Sequence, residues 1–148
     1  MVTHVRQDDR YGCVVACCAM VSETSYADVA ADLGAPGRGF TRDTWMEYLA
    51  RRGFAVQFHY RYDCIAGKTR DPWPLAPWAD LHLCSVDAGH GDGSHVVVMR
   101  ADGSVLDPVT DSPRRLSDYA AVAYMAAVYR VEPAPANPVE TTGGQIDV

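Results

Sequence analysis

Nine consecutive apolar residues, Cys13 to Val21 (CVVACCAMV), must be buried wherever the chain places them. Residues three and four apart in this run (Cys13, Ala16, Cys17, Met20) share one face of a helix. The spacing therefore predicts a helix from Cys13 to Val21 or a little beyond. Gly12 suits a sharp turn into it. A thiol in the first turn of a helix meets the positive end of the macrodipole and unpaired backbone N–H groups. Both favour the thiolate, the reactive form of cysteine. Gln7 lies six residues upstream. Its side-chain amide is a candidate donor to an oxyanion formed at Cys13.

The rest of the chain changes period once. Ser25 is placed to cap a second helix, YADVAADL, which Gly34 ends. Thr41 is placed to cap a third, RDTWMEYLARR, with Trp45, Tyr48 and Leu49 turned inward and Gly53 as its stop. From Phe54 the pattern FAVQFHYRY alternates, which is the signature of a strand. Residues 66–80 (AGKTRDPWPLAPWAD) form a surface excursion whose tryptophans are expected to pack on the domain below. LHLCSVD reads as a strand, GHGDGS as a loop, and SHVVVMRADGSVLDP as a β-hairpin turning at Ala-Asp-Gly-Ser. DSPRRLSDY is a connector with room for one helical turn. AVAYMAAVYRV fits a helix or a strand. Val122, Tyr124, Val128 and Tyr129, and its place after two strands, favour a closing strand. Helices first and strands afterwards is the α+β pattern. The expected organisation is one domain over residues 1–131 and a flexible tail over 132–148, where Pro, Gly and Thr leave little to bury.

Charge and cysteine content narrow the function. A net charge of −6 argues against nucleic acid or an anionic membrane as partner. No apolar run approaches the ~20 residues of a membrane span. The first twelve residues hold no apolar h-region, so the expectation is a chain without a secretory signal, located in the cytoplasm. Five cysteines, an odd number, then read as free thiols rather than a disulfide framework. Cys-x-x-x-Cys-Cys lacks the paired knuckles of structural zinc sites, and Cys17, Cys18, Cys64 and Cys84 read as small buried hydrophobes.

A thiol nucleophile needs a base and a group to orient it. His95 opens one arm of the hairpin and Asp107 ends the other, so the turn between them should lay the two side by side. Each has an ordinary alternative: an edge histidine, and a turn residue before Pro108. One hairpin register must serve both functional roles at once. His90, in the Gly-rich loop, is the second candidate base. His4, His59 and His82 read as surface or structural, and Asp8-Asp9 as a solvated, turn-forming pair.

Gln7, the step of six to Cys13, the ACCAM helix, GSHVVVM and LDP resemble the bacteriocin-processing, double-glycine peptidases, a family of papain-like cysteine peptidases. The resemblance covers most of residues 6–131. It implies a papain-like fold, with the nucleophile opening the first of several N-terminal helices packed on a C-terminal antiparallel sheet. It implies Cys13 as nucleophile, His95 as base, Asp107 as its orienter and Gln7 in the oxyanion hole, with a peptide or protein substrate and no cofactor or metal. The family cuts after double glycine, a pair this chain carries at Gly143-Gly144. The chain departs from the family at Gly12 and Val14, where Asp and Gly usually flank the nucleophile. Two other readings stand beside the peptidase: a peptide-binding relative that does not cut, and a metal-binding or structural domain.

Overall fold

The structure is a computed structural model that describes residues 2–34, 37, 39–61, 76–87 and 95–131. Cys64, Trp73, His90, Gly143-Gly144 and the whole expected tail lie outside those residues, as does the side chain of His59. Among the described residues the order is α1 (Cys13–Ser22), α2 (Tyr26–Leu33), α3 (Arg42–Arg51), β1 (Phe54–Arg61), β2 (Leu81–Asp87), β3 (His95–Arg100), β4 (Val105–Leu106), a 3-10 turn (Leu116–Asp118) and β5 (Ala121–Arg130). The strands form one five-stranded antiparallel sheet in the order β1-β5-β2-β3-β4. This is the α+β architecture that the order of periodicities predicts. The last strand does not close an edge, however. It is inserted between β1 and β2, and its residues Met125 to Val128 are buried.

Burial around α1 is more complete than one apolar face requires. Every residue from Val14 to Val21 is buried. The helix packs against β3 on one side and against α2 and α3 on others, so no side of it is left for water. α2 starts as expected: the Ser25 side chain accepts the Asp28 N–H at 3.1 Å, and the Gly34 N–H closes the helix on the Ala30 carbonyl at 2.8 Å. α3 buries Trp45, Tyr48 and Leu49, and Gly53 follows its end with φ 89°. Thr41 stands at the N-cap, but its hydroxyl pairs with that of Thr44 at 3.0 Å and caps no backbone N–H.

The sheet separates two cores. Its helix face contributes Leu81, Leu83, Val96, Val98, Ala126 and Val128 to the cluster around α1. On the far face Cys84, Val86, Val97, Met99 and Met125 pack with Leu116 and Tyr119 from the connector before β5. Trp78 is 56% exposed, so it does not pack on the domain as expected. No single described helix is long and apolar enough to cross a membrane.

The entry to α1 depends on glycine for room rather than for rotation. Gly12 has φ −90°, which any residue adopts, but a Cβ there would collide with the Tyr26 hydroxyl. That hydroxyl donates to Asp9 Oδ2 at 2.8 Å and accepts the Asp9 N–H at 3.3 Å. Asp9 is thus both the exposed, turn-forming residue expected of the Asp8-Asp9 pair and a tether between α2 and the turn ahead of α1. Gly12→Ala is expected to lower stability by about 1–3 kcal/mol, the usual range for overpacking. The loss should be smaller in a Tyr26→Phe background, where the colliding oxygen is gone. Urea unfolding of the four variants of this cycle measures the difference. An equal cost in both backgrounds would contradict the collision.

Candidate active site

The hairpin delivers His95 and Asp107 to each other by register. Val98 pairs with Leu106 and Met99 with Val105. Extending that ladder by one pair sets Asp107 opposite Val97, two residues along β3 from His95 and on the same side of the strand. Such diagonal neighbours are within reach of long side chains. His95 Nε2 lies 2.7 Å from Asp107 Oδ1. A carboxylate only accepts, so Nε2 carries the proton.

Asp107 is 3% exposed and every polar atom of its side chain is engaged. Oδ1 also accepts the Val109 N–H at 3.0 Å, and Oδ2 accepts the Tyr119 hydroxyl at 2.6 Å. Its main-chain carbonyl accepts the His4 Nε2–H at 2.7 Å and the Thr110 N–H at 3.2 Å. The turn role before Pro108 and the contact with His95 therefore coexist in one residue. Burial works against the charge on Asp107, but the hydrogen bonds from His95, Tyr119 and Val109, with the charge of His95, outweigh it and lower the carboxyl to about 2.

With Nε2 on Asp107, the other ring nitrogen of His95 is left for Cys13, which lies close enough to act on the imidazole. Burial again opposes the charged form. The hydrogen bond to Asp107 and its charge, with a smaller contribution from the nearby Cys13, overcome it and raise the imidazole from 6.5 to about 9. Cys13 is half-buried at the first position of α1. No side chain caps that end and no acidic residue stands in its first turn. The first N–H groups of the helix are thus left without a side-chain partner beside the thiol. Val14 is 7% exposed and belongs to the core cluster, so its branched side chain is taken up by packing.

Gln7 is held differently. Its backbone N–H donates to the Pro108 carbonyl at 3.0 Å, which brings it to the segment after Asp107. Its amide nitrogen donates to the carbonyls of Asp9 at 2.8 Å and Arg10 at 3.0 Å. Oε1 is buried and has no hydrogen-bond partner among the described residues. The structure thus pairs His95 with Asp107, sets Cys13 close enough to act on the imidazole, and holds the Gln7 amide on carbonyls of the turn ahead of α1.

The remaining candidates separate cleanly. His4 is structural: besides Asp107 it faces Asp111 Oδ1 at 3.4 Å, and Arg6 meets the same carboxylate at 3.4 Å. His82 is buried and accepts the Ala76 N–H at 3.1 Å. Cys17, Cys18 and Cys84 are buried, and burial pushes all three thiols up. Cys17 donates to the Val96 carbonyl at 3.3 Å. Among the described residues no group of three or more His, Cys, Asp or Glu side chains is arranged to hold a metal ion. Tyr119 was not among the residues the sequence singled out. A lone hydroxyl has no periodicity to reveal it; the only local cue is the Leu-Ser-Asp turn just before it.

No family model and no curated protein matches the chain. Solved structures do. A double-glycine-motif protease from an AMS/PCAT transporter, solved in complex with the leader peptide, superposes with a TM-score of 0.60 at 16% identity, covering 88% of this chain and 93% of that one. The peptidase domain of Streptococcus ComA, a bi-functional ABC transporter of a quorum-sensing pathway, gives 0.58 at 13% identity, covering 88% and 99%. The chain therefore has the papain-like fold of the double-glycine peptidase domains. At these identities the likeness is one of fold.

The charged pair sets a pH window for stability. The raised value of His95 adds stability that is fully present below 6.5 and lost as pH rises through about 9. The lowered value of Asp107 adds stability that is present above 3.8 and lost as pH falls through about 2. Because the two share one interaction, their contributions are not summed. The alkaline loss should be about 2–3 kcal/mol. Asp107→Asn should reduce the slope of unfolding free energy between pH 6.5 and 9 to less than half. Urea unfolding across pH measures it, and an unchanged slope would contradict the pairing.

Proposed function

We propose that this domain is a thiol-dependent peptide hydrolase with Cys13 as nucleophile. The observation that carries the reading is the His95–Asp107 hydrogen bond with Cys13 beside the imidazole, at a helix end that no side chain caps. In the proposed cycle His95 holds the proton given up by Cys13 as an imidazolium, and the sulfur attacks the carbonyl carbon of the scissile amide. The first-turn N–H groups of α1 receive the oxyanion. Gln7 joins them by giving up one of its two carbonyl partners. His95 then protonates the leaving amine, and the C–N bond breaks to leave a thioester on Cys13. Water, deprotonated by His95, attacks the thioester; the acid leaves and the thiol is restored. Asp107 holds the imidazole in one tautomer throughout.

The neighbours support a class of substrate. One of them is named for the double-glycine motif and is bound to a leader peptide. We propose that this chain accepts a peptide of that kind, with two glycines before the scissile bond. A second reading, a relative that grips such a peptide without cutting it, draws on Gln7, whose amide N–H groups are already engaged by local carbonyls.

A peptide chloromethyl ketone ending in Gly-Gly separates the readings. The hydrolase reading expects one adduct on Cys13, located by mass spectrometry, none at that position in Cys13→Ala, and labelling slowed at least ~100-fold in His95→Ala, the low end of what a general base contributes. Labelling of His95→Ala at the wild-type rate would overturn it. Retained affinity for a Gly-Gly peptide without any Cys13 adduct would favour the non-cutting relative.

A further inference from the structure

We infer that Tyr119 is a positioning residue of the proposed hydrolase site: its hydroxyl fixes which oxygen of Asp107 faces His95. This rests on reading Cys13, His95 and Asp107 as that site. The two carboxylate oxygens are held unequally. Oδ1 takes both His95 Nε2–H at 2.7 Å and the Val109 N–H at 3.0 Å. Oδ2 takes the Tyr119 hydroxyl at 2.6 Å. A carboxylate turns about its Cβ–Cγ bond in a broad two-fold well, so an unanchored oxygen lets it rotate. Without the hydroxyl, Oδ2 is a buried charged acceptor with a lost partner, and such atoms are costly to leave unsatisfied. The carboxylate then gains by turning so that Val109 and His95 are shared between its two oxygens, which draws it off the imidazole.

Tyr119 is built to resist that turn. Its ring is buried on the far face of the sheet, in the cluster with Leu116, Val97, Met99 and Met125. The 3-10 turn before it is closed by Arg115 N–H on Asp118 Oδ2 at 2.8 Å, and the Tyr119 N–H returns to the Leu116 carbonyl at 3.2 Å. The charged groups that act on the hydroxyl are Asp107, Arg114 and Asp118. Burial, then the hydrogen bond to Asp107, push the phenol up, so it stays a donor. The far core is thereby wired to the site by one hydroxyl.

The test is the rate of Cys13 alkylation by iodoacetamide, read by mass spectrometry on the full chain at pH 6 and pH 10. The proteins are wild type, Tyr119→Phe, His95→Ala and the double variant. Tyr119→Phe removes one oxygen and keeps the packed ring, and its rate at pH 10 reports whether the thiol is still reached normally. The expected result is a roughly three- to tenfold loss at pH 6 in Tyr119→Phe, no change at pH 10, and no further loss when the substitution is added to His95→Ala. A wild-type rate at pH 6, an equal loss at both pH values, or an equal loss in the His95→Ala background would each overturn the inference. Equal rates for wild type and His95→Ala at pH 6 would instead strike down the hydrolase reading, and the role of Tyr119 with it.

Discussion

A carboxylate buried to the degree of Asp107 is unstable unless donors surround it. Much of the local architecture serves that requirement. The β3–β4 hairpin brings His95, the turn after Pro108 brings the Val109 N–H, and the 3-10 turn brings Tyr119. The N-terminal segment is laid over the same place: His4 bonds the Asp107 carbonyl, Gln7 the Pro108 carbonyl, and Arg6 the Val109 carbonyl at 3.2 Å. That strap does a second thing. By fixing residues 4–7 beside Asp107, it sets the starting point of the short turn that leads into Cys13. Orienter and nucleophile are therefore positioned from one shared stretch of backbone.

The helix that carries Cys13 contributes rigidity of another kind. It is buried from Val14 onward, between sheet and helices, so its first turn is anchored by its whole length. At the entry, Tyr26 and Asp9 tie the preceding turn to α2 across Gly12. A thiol meant to meet an imidazole from a different element needs both sides held, and here each side has its own core. The helix-face cluster holds Cys13, and the far-face cluster holds Asp107 through Tyr119.

What the sequence revealed followed from how local each signal is. Ser25, Gly34 and Gly53 end or begin helices through bonds and angles a few residues long, and they were readable. His95 and Asp107 were readable because a four-residue turn fixes the register of both arms. The insertion of β5 between β1 and β2 was not, because strand order depends on pairings across seventy residues and leaves no mark in any one strand. Gly12 was readable as the turn into α1, but not as the space its missing side chain leaves. Its role is set by a tyrosine on the next helix, which backbone preference does not register. The Gln7 amide was readable as a donor, but not the two backbone carbonyls that hold it, whose direction depends on the path of the turn. Tyr119 was missed because its ring belongs to a core on the far side of the sheet from the helix it serves.

The central claim is that Asp107 and Cys13 together keep His95 charged well above the range of an ordinary imidazole. Nuclear magnetic resonance of nitrogen-15-labelled protein measures it directly, by following the ring nitrogens of His95 with pH. The account predicts a midpoint near 9, with Nε2 protonated on both sides of the transition. A midpoint at or below 6.5, or a neutral form protonated on the other nitrogen, would contradict it.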